Sequence, residues 1–231
     1  MLNQELFPFD EFAMDKETQQ RIQEGVLALC AEHQKDVRGS TRLYHRFLPS
    51  PVGPMLALAS DKGVILLEFL DTLDMIADEI KDLRHRYGYA LSKEDHPHLE
   101  QAARQLDDYF AGTRQEFTLP LDTPGTPFDL AVWDQLQRIP FGQTCSYGDI
   151  AREIGNGAHA RIVGSANHRN RVSIVIPCHR VIGANGTLTG YGGGLPRKRW
   201  LLEFESLHAR KEKSPNTRHE SAQFGAKPAP L

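Results

Sequence analysis

Cysteine is scarce in this chain of 231 residues: Cys30, Cys145 and Cys178 are three in number, and no two stand in a Cys-x-x-Cys pair. An odd count without that spacing supports neither a disulfide framework nor a closed zinc site. Long apolar runs are missing too, so no membrane span is expected, and the opening MLNQELFPFDEF lacks the basic-then-apolar layout of a secretory leader. The expectation is a cytoplasmic protein with reduced thiols. Acidic residues are the third scarcity, and it is local. Arg138 to Trp200 holds 9 basic and 2 acidic residues, whereas Met1 to Gln137 holds 13 basic and 24 acidic, an asymmetry hidden by a net charge of −3. A polyanion would be drawn to the basic stretch and repelled by the other, although runs of charge also occur simply as solvated faces.

The remaining composition, 40% hydrophobic and 25% charged, is that of an ordinary globular protein with enough material for a core. Residues 1–41 form an extension in which Ile22, Val26, Leu29 and Cys30 share one face of a helix. From Arg42, three apolar runs (RLYHRFL, PMLALAS, VILLEFL) separated by tight turns predict an antiparallel sheet. Two helices follow, one carrying Leu73, Ile76, Ile80, Leu83 and Tyr87 and ending at Gly88, the other running from Pro97 to Phe110. Residues 42–122 thus read as a small α+β scaffold. FTLPLDTPGTP is an extended linker, because its three prolines forbid helix.

A second domain is expected over 123–207. Thr126, Pro127 and Asp129 supply an N-cap, an N1 proline and an acidic N3 for a helix burying Phe128, Val132, Trp133 and Leu136. Ser146 and Asp149 repeat the capping signature for a helix Tyr147 to Ile154 closed by Gly155, and a further helix runs from His159 to Asn167. Two short helices joined by a glycine-containing turn make a helix-turn-helix pattern. The second helix carries Ala160, Gly164, Ser165 and Ala166; small residues there suit close approach to a groove or to another helix. Residues 208–231, with few apolar side chains, read as a disordered tail.

The chemistry centres on Ile174 to Arg180, IVIPCHR. Ile174, Val175 and Ile176 suit a buried strand that Pro177 ends just before Cys178 and His179. On the residues alone, Cys178 is a nucleophile, an inert buried thiol or a zinc ligand. Its neighbourhood reads Arg161, Asn170, Pro177-Cys-His-Arg-Val181, then Gly190-Tyr-Gly-Gly193 and Glu205. With these markers, the stretch from about Arg42 to Leu207 resembles the O6-alkylguanine-DNA alkyltransferase family.

That resemblance implies an α+β protein whose antiparallel-sheet domain precedes a winged-helix-like helix-turn-helix catalytic domain. It implies that Cys178 takes a methyl or small alkyl group from O6-alkylguanine, with O4-alkylthymine as a second candidate substrate, once and irreversibly, with no cofactor and no metal. A free thiol with a pKa of about 8.5 is only slightly ionised at neutral pH, and the resemblance gives the proton to His179 through a water, with Glu205 orienting the ring. Tyr191 donates its hydroxyl toward the departing O6, and Asn170 ties the helix-turn-helix to the active site. Arg161 fills the stack left by the extruded nucleotide, Tyr147 crowds the 3′ phosphate, and the helix with Ala160 and Gly164 enters the minor groove of double-stranded DNA. Val181, Ser173 and Gly192 shape the base pocket, with backbone carbonyls near Cys178 and Val181 reading the guanine amino group. The protein is expected to be monomeric. Arg171 stands where the family has proline, and Ser173 where some relatives have proline.

Overall fold

A computed structural model describes residues 12–32, 41–92, 95–155, 158–212 and 227–228. The chain divides into two compact units, Met1–Pro124 and Gly125–Leu231.

The first unit contains α1 (Lys16–Glu32), β1 (Thr41–Leu48), β2 (Met55–Ser60), β3 (Gly63–Phe69), α2 (Leu73–Tyr87), β4 (Tyr89–Ser92) and α3 (Pro97–Phe110). The three apolar runs form the expected antiparallel meander, with Leu58 opposite both His45 and Leu66. A fourth strand was not foreseen. Gly88, at φ 68°, ends α2, and the four residues after it pair parallel to β1, giving the order β3-β2-β1-β4. Four residues are too short a run to reveal a period, which is why YALS carries no strand signal of its own.

All six residues of β2 are buried, because side chains alternate across a sheet covered on both faces. Leu56 and Leu58 join a core with Ile22 and Val26 of α1 and with Ile76, Ile80 and Leu83 of α2. Each such side chain contributes about 1.5–3 kcal/mol by leaving water, so α1 is part of the unit's core. Leu29 of α1 is half-buried, and the Cys30 side chain lies outside the described residues.

The start of the linker is stitched to this unit. Val64 N donates to Pro120 O at 2.8 Å, Asp122 N donates to Val64 O at 2.9 Å, and buried Ser60 donates its hydroxyl to Asp122 at 2.6 Å. Position 63 must be glycine for this: a Cβ there would stand 2.5 Å from the Pro120 carbonyl oxygen.

The second unit contains α4 (Pro127–Gln137), β5 (Gln143–Ser146), α5 (Tyr147–Ile154), α6 (Ala160–His168), a 3-10 turn (Cys178–Arg180), β6 (Val181–Ile182), α7 (Gly194–Glu212) and β7 (Lys227–Pro228). Both capping boxes are present: Thr126 and Asp129 exchange side-chain to backbone hydrogen bonds at 3.2 and 3.1 Å, Ser146 and Asp149 at 3.1 and 2.8 Å. Each satisfies two otherwise orphaned backbone donors and is worth about 1 kcal/mol. Trp133 of α4 donates its indole N–H to Ala166 O at 3.0 Å, fixing α6 across α4. The helix-turn-helix is therefore held by a buried polar bond as well as by apolar packing.

The expectation of a disordered tail changes at two points. The helix carrying Glu205 starts at Gly194 and continues to Glu212, into the segment expected to be a disordered tail. Lys227 and Pro228, from the same segment, pair with Thr144 and Gln143 of β5; residues 213–226 and 229–231 lie outside the described residues.

Candidate active site

The strand expected at Ile174–Ile176 is a buried turn. Val175 N donates to Ser173 O and Ile176 N to Val172 O, both at 2.9 Å, and Ile174 sits at φ 72° with no exposure. Their burial was legible, but burial suits a tight turn as well as a strand. A β-branched residue in the left-handed region is strained, by roughly 1–3 kcal/mol, and surrounding structure must hold it. Asn170 does much of the holding. Its Oδ1 accepts from Val172 N at 3.0 Å, and its Nδ2 donates to Ile176 O at 2.9 Å and to Cys178 Sγ at 3.2 Å. One asparagine thus supplies the bonds a sheet ladder would have made and also points a donor at the sulfur. Pro177 then leads into the 3-10 turn, where Cys178, His179 and Arg180 are all buried.

Behind the thiol lies a sealed charge cluster. Glu205 of α7 is fully buried, and its two oxygens accept four hydrogen bonds: Oε1 from His179 Nε2 and Arg180 Nη2, each at 2.9 Å, and Oε2 from Arg180 Nε at 2.9 Å and Gly142 N at 3.0 Å. A carboxylate has about four lone-pair sites, and all are used. Burial alone would raise its pKa, but the Arg180 guanidinium, joined by His179, overrides burial and holds the carboxyl well below the ordinary carboxylate range. Arg180 also donates to Ile139 O at 2.6 Å and lies 5.8 Å from the Phe141 ring centroid.

Burial pushes the His179 imidazole below its ordinary value, against the opposing pull of Glu205, with Arg180 and Lys198 adding to the lowering. One buried anion is already balanced by one cation that cannot lose its proton, so a charged imidazole would leave the cluster with an excess positive charge. His179 is neutral at rest. Because Nε2 faces a carboxylate, that nitrogen carries the hydrogen, and Nδ1 presents a lone pair. Nδ1 is buried and has no hydrogen-bond partner among the described residues.

Two cations of the basic stretch do not face solvent: Lys198 is fully buried and Arg197 is 7% exposed. The Lys198 ammonium donates to Val181 O and Thr189 O, both at 2.6 Å. Burial lowers its pKa to about 8, partly offset by the charge it shares the region with at Cys178. Cys145, by contrast, has its thiol pushed up to about 12 by burial and by Asp149, which suits an inert packing residue.

A cavity of about 510 Å³ opens onto the thiol, within the range of small-molecule sites. Cys178, Tyr147, Tyr191 and Gly192 line it, together with Ala160, Arg161 and Gly164 of α6. Arg161 and Ala160 are exposed, as a surface for a partner requires. The Tyr191 ring lies 6.4 Å from that of His179. Asn170, His179 and Glu205 stand behind the thiol. Two expected pocket residues are placed elsewhere: Ser173 is 3% exposed in the buried turn and Val181 is fully buried in β6, and neither is on the cavity wall. The Val181 carbonyl, expected to read a base, already accepts from Lys198.

Sequence reasoning missed three contributors: the Arg180 pairing to Glu205, the buried Lys198, and Asn167 of α6, whose Nδ2 lies 3.5 Å from the Cys178 carbonyl oxygen. Arg180 belongs to the Pro177–Val181 run, but its pairing to Glu205, 25 positions away, is made only by folding. Among the described residues no group of three or more His, Cys, Asp or Glu is arranged to hold a metal, and no helix is long and apolar enough to cross a membrane.

A helix-turn-helix unit with a cavity-lining cysteine, backed by a neutral histidine and a buried carboxylate, defines a cysteine-dependent protein with a nucleic-acid-binding architecture. Residues 127–207 match the 6-O-methylguanine DNA methyltransferase DNA-binding domain, and residues 43–123 the ribonuclease-like domain of the same proteins. The chain belongs to this methyltransferase family. It is similar to the methylated-DNA–protein-cysteine methyltransferase of Methanosarcina acetivorans, at 41% identity over 71% of this chain and 98% of that protein. It is 44% identical to the one from Mycobacterium bovis, over 72% of this chain and 94% of that protein. Among solved structures, the Mycobacterium tuberculosis OGT in complex with DNA matches with a TM-score of 0.60 and 41% identity, over 71% of this chain and 94% of that chain.

Proposed function

We propose that this protein repairs DNA by direct reversal, moving a methyl or small alkyl group from O6-alkylguanine in double-stranded DNA onto Cys178. The observation that carries the reading is Cys178 on a cavity wall, next in sequence to an imidazole whose hydrogen is fixed on Nε2 by Glu205. His179 Nδ1, with its free lone pair, takes the thiol proton through a bridging water. The sulfur then attacks the alkyl carbon in line, the S–C bond forms as the C–O6 bond breaks, and the electron pair goes to O6. A proton supplied from the Tyr191 side, replaced by the one the thiol gave up, restores neutral guanine. The products are a thioether and an unmodified base. No cofactor enters, because the protein is itself the acceptor, and each chain acts once.

The reacting atom lies inside a duplex, so the nucleotide is extruded into the cavity at a cost of a few kcal/mol. Arg161 occupies the space it leaves, and Tyr147 crowds the neighbouring phosphate. Ala160 and Gly164, small and on the cavity side of α6, let that helix lie close in the minor groove, where little base sequence is read. The protein works as a monomer in the cytoplasm, where thiols stay reduced. Duplex DNA carrying a radiolabelled O6-methyl group tests the reading: label moves to the intact chain and not to Cys178→Ser. Tight binding with no label on the protein would make it a lesion sensor instead.

A further inference from the structure

Asn167 has no part in the scheme above, yet its side chain lies on the cavity wall, beside the thiol's own carbonyl. It is 6% exposed. Nδ2 donates to Cys178 O at 3.5 Å, while Oδ1 is buried with no partner among the described residues. An acceptor stripped of water and left unpaired is a standing cost to the fold. Turning the amide over would not remove it, because Oδ1 would then face the Cys178 carbonyl, acceptor against acceptor. The fold tolerates this amide for what its nitrogen end does.

That end has two hydrogens and two acceptors in reach. The Cys178 carbonyl also accepts from Val181 N, so it is the hinge of the 3-10 turn that carries the sulfur. The Tyr147 ring lies over Gly164, where an added Cβ would be 3.8 Å from Cδ1 and Cε1, and Asn167 follows one helical turn later. The Tyr147 hydroxyl interacts with the side chains of Thr189 and Asn167, and burial raises its pKa, so it keeps its hydrogen.

We propose that Asn167 is a positioning residue for the extruded base: its Nδ2 hydrogens hold the Cys178 carbonyl and the Tyr147 oxygen, which leaves the Tyr147 hydroxyl hydrogen directed into the cavity. That hydrogen meets a lone pair on the purine edge. O6-alkylguanine has lone pairs on its ring nitrogens and no hydrogen on N1, so a fixed donor fits it. The inference rests on the proposed alkyl transfer and adds to it a residue that sets where the donor points.

The test uses the full chain and a duplex carrying O6-methylguanine, with single-turnover transfer, affinity for undamaged duplex and melting temperature measured on each variant. Asn167→Leu, which removes both ends of the amide at similar volume, slows transfer about tenfold, the effect of one lost hydrogen bond. Its melting temperature holds or rises, since the orphaned oxygen is gone, and its affinity for undamaged duplex is unchanged. Tyr147→Phe also slows transfer, and the double variant is no slower than Tyr147→Phe alone. Asn167→Ser serves the same comparison if the leucine variant does not fold. Wild-type transfer in both Asn167 variants overturns the proposal, as do losses that multiply in the double variant, or slowing matched by a fall in melting temperature. If the unsubstituted chain never acquires the methyl group, the parent reading falls with it.

Discussion

Nε2 of His179 donates to Oε1 of Glu205 at 2.9 Å, and neither side chain has any exposure to water. This contact fixes which imidazole nitrogen bears the hydrogen, and so which is free to act as a base. It is affordable only because Arg180 neutralises the same carboxylate.

Glu205→Gln therefore does two kinds of damage. It leaves Arg180 buried without its anion, costing about 3–5 kcal/mol of stability in chemical denaturation, and it releases the His179 tautomer, so transfer falls as well. Replacing Arg180 with Met in the same chain recovers part of the stability, because a buried ion pair exchanged for apolar groups is often near neutral. Transfer is not recovered.

The pH dependence of transfer has two limbs. His179 is held below its ordinary 6.5 by burial, so it stays a neutral base in mildly acidic solution, and the acid limb of the rate lies below that value. Lys198 loses its charge near pH 8, removing a cation that favours the thiolate, so the rate declines above about pH 8. Lys198→Met is slower throughout and lacks the alkaline limb. In stability the sign is opposite. Between about 8 and the ordinary 10.5 the unfolded chain binds this proton and the folded one does not, so this group makes the fold more stable as pH rises through that window. Rate profiles and melting curves of wild type and variant separate the two.

Asn170→Ala removes three bonds that hold the buried turn, including the one to Sγ. Val172 N loses its partner, at about 1–3 kcal/mol, Ile176 O keeps only its bond from Cys178 N, and the strained Ile174 loses its restraint. Melting temperature and transfer rate both fall. Methylation of Cys178 in the unsubstituted chain crowds the same Nδ2 and weakens its acceptor, so the alkylated protein melts below the free one in a thermal scan.

Arg161 is exposed on α6 in a stretch rich in basic residues. Arg161→Ala weakens transfer to duplex DNA more than transfer to an alkylated single strand, where no vacated stack needs filling. Where Arg161 also neutralises a phosphate, the slope of log affinity against log salt becomes shallower by about 1. Titrations at several salt concentrations measure it.

How much of this was readable from the chain depends on distance along it. The capping boxes at Thr126–Asp129 and Ser146–Asp149 are complete within four residues, so their helices were legible. The markers around Cys178 were legible for the same reason, as short runs with fixed order. Ile174 to Ile176 misled because three β-branched residues announce burial and leave the backbone open, and Asn170, not a neighbouring strand, satisfies that backbone. The burial of Lys198 was not legible because its acceptors, the carbonyls of Val181 and Thr189, are brought to it only by folding. Arg180 and Glu205 could each be named, but nothing local to either says that one neutralises the other.

Cys178 is, in the proposed reaction, both the nucleophile and the final acceptor. Intact-protein mass spectrometry after incubation with an excess of O6-methylguanine duplex measures that directly. The predicted result is a gain of one methyl group per chain, mapped to Cys178 and absent from Cys178→Ser, with no further turnover of the remaining DNA. Loss of the lesion from the DNA without a mass change in the protein, or a methyl group mapped to Cys145, would contradict it.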